Sequence, residues 1–152
     1  MYTGLLHLHN VLRWVILILL LLNIFRHFSA GNKPFTQGDK KLGLWLMIAA
    51  HITLLIGLYQ WIFGRFGWMN VPEGISIMKD KFWRFYLIEH PIGMLIAIVL
   101  ITIGKGVAKK SLPDAAKHKK SAILFLIALI IILATIPWPF REIIARPLFP
   151  GM

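Results

Sequence analysis

The chain has 152 residues, 58% of them hydrophobic, and a net charge of +11. Its mean hydropathy of +0.72 excludes an ordinary soluble domain of this length. It has no cysteine, which excludes disulfides, thiolate metal sites and cysteine nucleophiles.

Four long apolar runs account for the composition, and a bilayer core of about 30 Å needs about 20 helical residues to cross it. The first run predicts a helix over 5–28. It lacks a basic leader and a small-residue cleavage site, so it is expected to stay in place as a span rather than be removed as a signal peptide. His9 and Arg13 lie in it at i and i+4, on one face. The Gly/Pro/Asn-rich stretch "AGNKPFTQGD" then marks a turn. The second helix is predicted over 42–63, with His51 near its middle. Tyr59, Gln60 and Trp61 close it, either as an interfacial aromatic belt or as the lining of a quinone-head pocket. The longest loop, "RFGWMNVPEGISIMKDKFWRF", carries aromatic residues suited to the headgroup layer.

The third helix is predicted over 76–105 and holds Glu89 and His90 ahead of Pro91. The basic loop "KKSLPDAAKHKK" follows, with Asp114 opening a helical turn. The fourth helix is predicted over 120–140, through Pro137 and Pro139. It carries nothing ionisable inside the membrane, and its nearest candidate is His118, just before the apolar run. The Pro-rich, aromatic tail "IPWPFREIIARPLFPGM" is expected along the surface, packing on a partner subunit.

Short links between four spans predict an all-α, integral-membrane, up-down four-helix bundle forming one domain. Arg26, Lys33, Lys40 and Lys41, with six lysines of the third loop, fall on one side. Arg65, Lys79, Lys81, Arg84, Arg141 and Arg146 fall on the other. The positive-inside rule then places both termini outside. The basic loops meet anionic membrane lipid, and no nucleic-acid partner is expected.

Polar groups inside spans are costly, and by default they mark function. At about 1.5 Å per residue, His9 lies roughly 6 Å and His90 roughly 8 Å below the outer edge, and His51 roughly 18 Å. In an up-down bundle the first and third helices face each other diagonally, so His9 and His90 match in depth and side. Two imidazoles across a core form an axial pair for haem iron. Arg13, one turn below His9, would pair with a propionate or with Glu89. His51 sits deeper. It would replace His9 if the first helix began later, or hold a second haem with His118 if the fourth began well before Ser121. One haem b is the favoured count. His7 and His27, at the membrane edges, read as ordinary interfacial residues. Met94 and the glycines Gly57 and Gly93 read as packing positions.

Four segments carry a resemblance over nearly the whole chain. "LLHLHNVLRWVILILLLL", "LMIAAHITLLIGLYQW", "EHPIGMLIAIVLITIGKGVAKK" and "LIALIIILATIPWPFRE" together resemble small bacterial integral-membrane proteins labelled cytochrome b. More distantly the design is similar to the four-helix cytochrome b561 class. That resemblance implies b haems between histidines, electron exchange with quinones or superoxide, and axial roles for His9, His51, His90 or His118. The chain departs from it in having no histidine within the last apolar run. One segment, "FWRFYLIEHPIGMLIAIVLITIGK", also resembles part of the membrane protoporphyrinogen oxidase family.

The expectation is therefore a b-type cytochrome of the bacterial inner membrane. It would pass electrons from quinol to an outer-side acceptor or serve as a subunit of a respiratory complex with other membrane subunits. A haem-free accessory subunit, and a metal or proton carrier built on the same histidines, are the competing readings.

Overall fold

The computed structural model describes residues 2–149. Its long helices are α1 (Tyr2–Ala30), α2 (Gln37–Phe63), α4 (His90–Gly106) and α5 (Asp114–Thr135). A short α3 (Lys81–Arg84) runs through a π-helical turn, Phe85–Glu89, straight into α4. Four stretches are long and apolar enough to cross a membrane: Thr3–Ala30, Gln37–Asn70, Lys81–Lys109 and Asp114–Thr135. Large apolar side chains such as Ile18, Leu22, Phe25, Leu55, Val99 and Ile130 point outward, the surface of a multi-pass membrane protein rather than of a soluble one.

Each helix boundary has a local cause. Thr36 caps α2 in a reciprocal box, its side chain accepting from the Asp39 N–H while the Asp39 carboxylate accepts from the Thr36 N–H at 2.7 Å. Asp80 caps α3 by accepting from the N–H groups of Phe82 and Trp83. Residues 76–80 form turns before that cap, so the third span starts later than the expected 76. The fourth starts earlier than the expected 120, because Pro113 lets the helix begin at Asp114. It ends at Thr135 rather than 140. Pro137 pushes the preceding Ile136 to φ −72° and ψ 136°, which is extended backbone.

Pro91 explains the π turn. It has no N–H for the Leu87 carbonyl and would clash with it in a regular helix. The turn widens instead, the His90 N–H bonds to the Phe85 carbonyl, and the indole of Trp61 on α2 donates to the freed Leu87 carbonyl at 2.9 Å.

The helices pack α1 against α2 and α5, and α4 against α2 and α5, which leaves α1 and α4 facing across the interior. The core between them holds Ile16, Leu20, Leu46, Ala50, Ala97, Ile101, Phe125 and Ala128. The α4–α5 contact is tight at two glycines. A methyl on Gly104 would lie 2.7 Å from the Phe125 ring, and one on Gly93 would overlap Thr135. With Ala97 between them, these residues form the small-residue stripe that lets membrane helices approach. The tail folds back on its own chain. Tyr86 donates to the Ile144 carbonyl at 2.6 Å, Ile144 is buried, and the Arg146 guanidinium lies 4.3 Å over the Phe66 ring.

Candidate functional site: two histidine clusters at opposite ends of the helices

The first cluster lies at the end covered by the tail. His9 on α1 and His90 at the start of α4 approach with ring centres 6.5 Å apart and planes at 59°. Nδ1–H of His90 donates to the Thr135 carbonyl at 2.8 Å. A carbonyl can only accept, so that bond places the proton on Nδ1 and leaves Nε2 as the lone-pair nitrogen of the neutral ring. Metal-ligating histidines are oriented in the same way. The Nδ1 atom of His9 is buried and has no hydrogen-bond partner among the described residues. Beside it, Gly57 of α2 offers only a hydrogen; a methyl there would reach 3.3 Å from His9 Cε1.

Arg13 does not pair with Glu89. Its guanidinium donates to Asn10 Oδ1 at 2.9 Å and to the Leu148 carbonyl, which Trp14 also meets at 3.0 Å. Glu89 is exposed on the outer side of the π turn and pairs with Arg84 at 2.8 Å. His51 is exposed as well, its Nδ1–H turned back onto the Met47 carbonyl, so it joins neither His9 nor His118. Trp61 is used for helix packing. Gln60, in the last turn of α2, keeps a buried amide nitrogen with no partner among the described residues.

The second cluster lies at the lysine-rich end. His27 is not an edge residue but 3% exposed, and its Nδ1 lies 2.8 Å from Nδ1 of His118, itself 2% exposed. Asp39 is also buried, and its carboxylate is held by Arg26 Nε, the Thr36 N–H and the Thr36 hydroxyl. One potential ligand atom from each of His27, Asp39 and His118 falls within 4.8 Å of the others. Phe35 lies over both rings, 5.4 Å from His27 and 4.8 Å from His118. Nε2 of His118 is buried with no partner among the described residues, an arrangement that costs about 1–3 kcal/mol if nothing else meets that atom.

The two pairs differ in spacing. His27 and His118 share a hydrogen bond with ring centres 5.1 Å apart, whereas His9 and His90 stand 1.4 Å wider at 6.5 Å. That extra separation suits one ion between two nitrogens, each bond being about 2 Å. His9 and His27 lie 18 residues apart on α1, five full turns, so they share a face and sit roughly 27 Å apart along the axis. That spacing could have marked His27, and the T-x-x-D capping pattern of Thr36–Asp39 could have marked Asp39.

No family model, curated protein or solved structure matches this chain. The functional reading rests on the residues alone.

Proposed function

We propose that the chain is a b-type cytochrome of the bacterial inner membrane, with one haem held between His9 and His90. The observation that carries this reading is the approach of those two rings, at 6.5 Å, from helices that face each other across the interior. The donor set fits the group: two imidazoles, one with its Nδ1–H already engaged by the Thr135 carbonyl and one with a buried nitrogen that has no partner among the described residues. Bound haem supplies a one-electron couple. The chain's own residues do the rest. The Thr135 carbonyl orients His90, Gly57 keeps the flank of His9 clear, and Arg13 sets a positive charge one turn from His9, where a propionate would be stabilised. The folded-back tail sets Trp138 and Phe149 against Trp14 of α1 at this end.

In this account the helices form an up-down bundle with both termini outside. The haem then lies near the outer face and the lysine-rich loops face the cytoplasm. Quinol on one side and an outer-side acceptor or a respiratory-complex subunit on the other would complete the electron path. The carrier reading is weaker, because Ile16, Leu17, Leu20 and Ile24 form an apolar barrier along α1 between the two histidine clusters.

The test is an absorption spectrum of the detergent-purified protein before and after dithionite. A sharp Soret band and a reduced b-type α-band support the proposal. A well-folded preparation that stays colourless after expression with added haem precursor removes it.

A further inference from the structure

We propose that His27, Asp39 and His118 form a second, separate site, which binds a single divalent transition-metal ion, zinc by donor preference, at the lysine-rich end. Three observations carry this. First, two imidazoles and a carboxylate converge from α1, α2 and α5 within 4.8 Å, all three buried. Two nitrogens and one oxygen form a recurrent zinc donor set, completed by a water or hydroxide. Second, the Nδ1 atoms of His27 and His118 already face each other at 2.8 Å. Third, a void of about 10 Å³ lies against His27 and Asp39, with Lys40, Lys105 and Ser121 in its wall. That is about the volume of one water, and it lies beside two of the three donors. The two lysines there favour an anionic fourth ligand, hydroxide or chloride, which also offsets the charge of the ion.

The geometry favours a bare ion over a second macrocycle. The two Nδ1 atoms are 2.8 Å apart, in hydrogen-bond contact. Tetrahedral coordination needs only a few tenths of an ångström more between them. A porphyrin would have to displace Phe35, which lies over both rings, and Phe125, which flanks His27. On ligation the proton of the Nδ1–H···Nδ1 bond leaves that position. The ring that carried it becomes the Nε2–H tautomer, and both Nδ1 lone pairs then point to the ion. Asp39 is already positioned for this by Thr36 and Arg26, the kind of outer support that orients a metal-binding carboxylate. The ion would tie α1, α2 and α5 together at one end, independently of whether haem occupies the other.

The experiment uses tag-free protein in detergent, stripped with chelator and dialysed against micromolar zinc. Metal content is measured by mass spectrometry, and cobalt(II) is added in place of zinc to read the ligand field. The expected result is one zinc per chain and the visible absorption of tetrahedral cobalt. Affinity should fall at least about tenfold in both His27→Ala and His118→Gln, while His51→Ala leaves it unchanged. Circular dichroism checks that each variant keeps its helices. If a variant misfolds, the cobalt spectrum of the unmutated protein decides alone. Zinc at background level, zinc retained equally in the folded His118→Gln protein, or a second haem lost with that substitution would each overturn the proposal.

Discussion

Adding one methyl group at residue 93 tests both the helix packing and its link to His90. In Gly93→Ala the new Cβ overlaps the Thr135 methyl and lies 3.2 Å from Thr135 Cβ and 3.3 Å from its hydroxyl oxygen. Ordinary carbon contacts are 3.5–4.0 Å. Thr135 cannot simply turn away, because its hydroxyl donates to the Ile131 carbonyl at 2.8 Å. Either that bond breaks or α4 and α5 part locally, and overpacking of this kind costs about 1–3 kcal/mol. In water the change from Gly to Ala in a helix would return about 1 kcal/mol. In a membrane the unfolded reference state keeps its spans helical, so little of that gain appears. The expected loss is therefore about 1–3 kcal/mol. It can be read as a lower midpoint of thermal unfolding in mild detergent, followed by tryptophan fluorescence. Thr135→Ser removes the overlapped methyl and keeps the hydroxyl, so Gly93→Ala/Thr135→Ser should recover most of the loss. The Thr135 carbonyl also holds His90, so the single variant should loosen that imidazole as well. A single variant as stable as the parent, or a double variant no better than the single, refutes the packing described for α4 and α5.

Three further outcomes follow from the same structure. Trp61→Phe removes the donor that meets the Leu87 carbonyl and should destabilise by about 1–2 kcal/mol; adding Pro91→Ala supplies an N–H for that carbonyl and should restore stability, which unfolding midpoints of the three variants will show. Arg26→Ala should cost about 2–3 kcal/mol and Asp39→Ala about 1–2. Removing Arg26 leaves a buried carboxylate without its counter-charge, whereas in Asp39→Ala the 48% exposed Arg26 rehydrates and Thr36 alone loses its acceptor; a smaller loss in Arg26→Ala in the same unfolding assay would contradict this. Since the chain lacks cysteine, single cysteines can report its orientation. If both termini are outside, as proposed, Lys33→Cys and Lys110→Cys should react with an impermeant thiol reagent only from the cytoplasmic side of inverted vesicles, and Glu73→Cys and Met78→Cys only from the outside of intact cells.

Much of the fold was legible in the sequence because the bilayer imposes a length. Each apolar run is long enough to be a span, and the depth of His9 and His90 along their helices is enough to predict their approach. Apart from His51, the misread residues lie at helix ends, where polar side chains hide the period. "KKSLPDAAKHKK" looks like a loop because its lysines face outward. Yet His118, Ser121, Ala122 and Phe125 are all buried, at a spacing that already reads as one helix face. Once α5 begins at Asp114, His118 reaches the level of His27. His27 looked interfacial because the apolar run stops at Phe25, whereas α1 continues to Ala30. Glu89 drew attention by adjacency to His90, but successive helical residues point about 100° apart, and it faces Arg84 instead. His51 sits in an apolar run, and nothing local reveals that its ring bonds to its own helix at Met47.

Electron paramagnetic resonance of the oxidised, haem-supplemented protein tests the central proposal most directly. A haem held by His9 and His90 gives a low-spin, bis-imidazole signal. It should be abolished or converted to high spin in His90→Ala and in His9→Ala, and remain unaltered in His51→Ala. A low-spin signal that survives loss of His90, or that disappears with His51, would contradict the pairing of His9 with His90 on which the account rests.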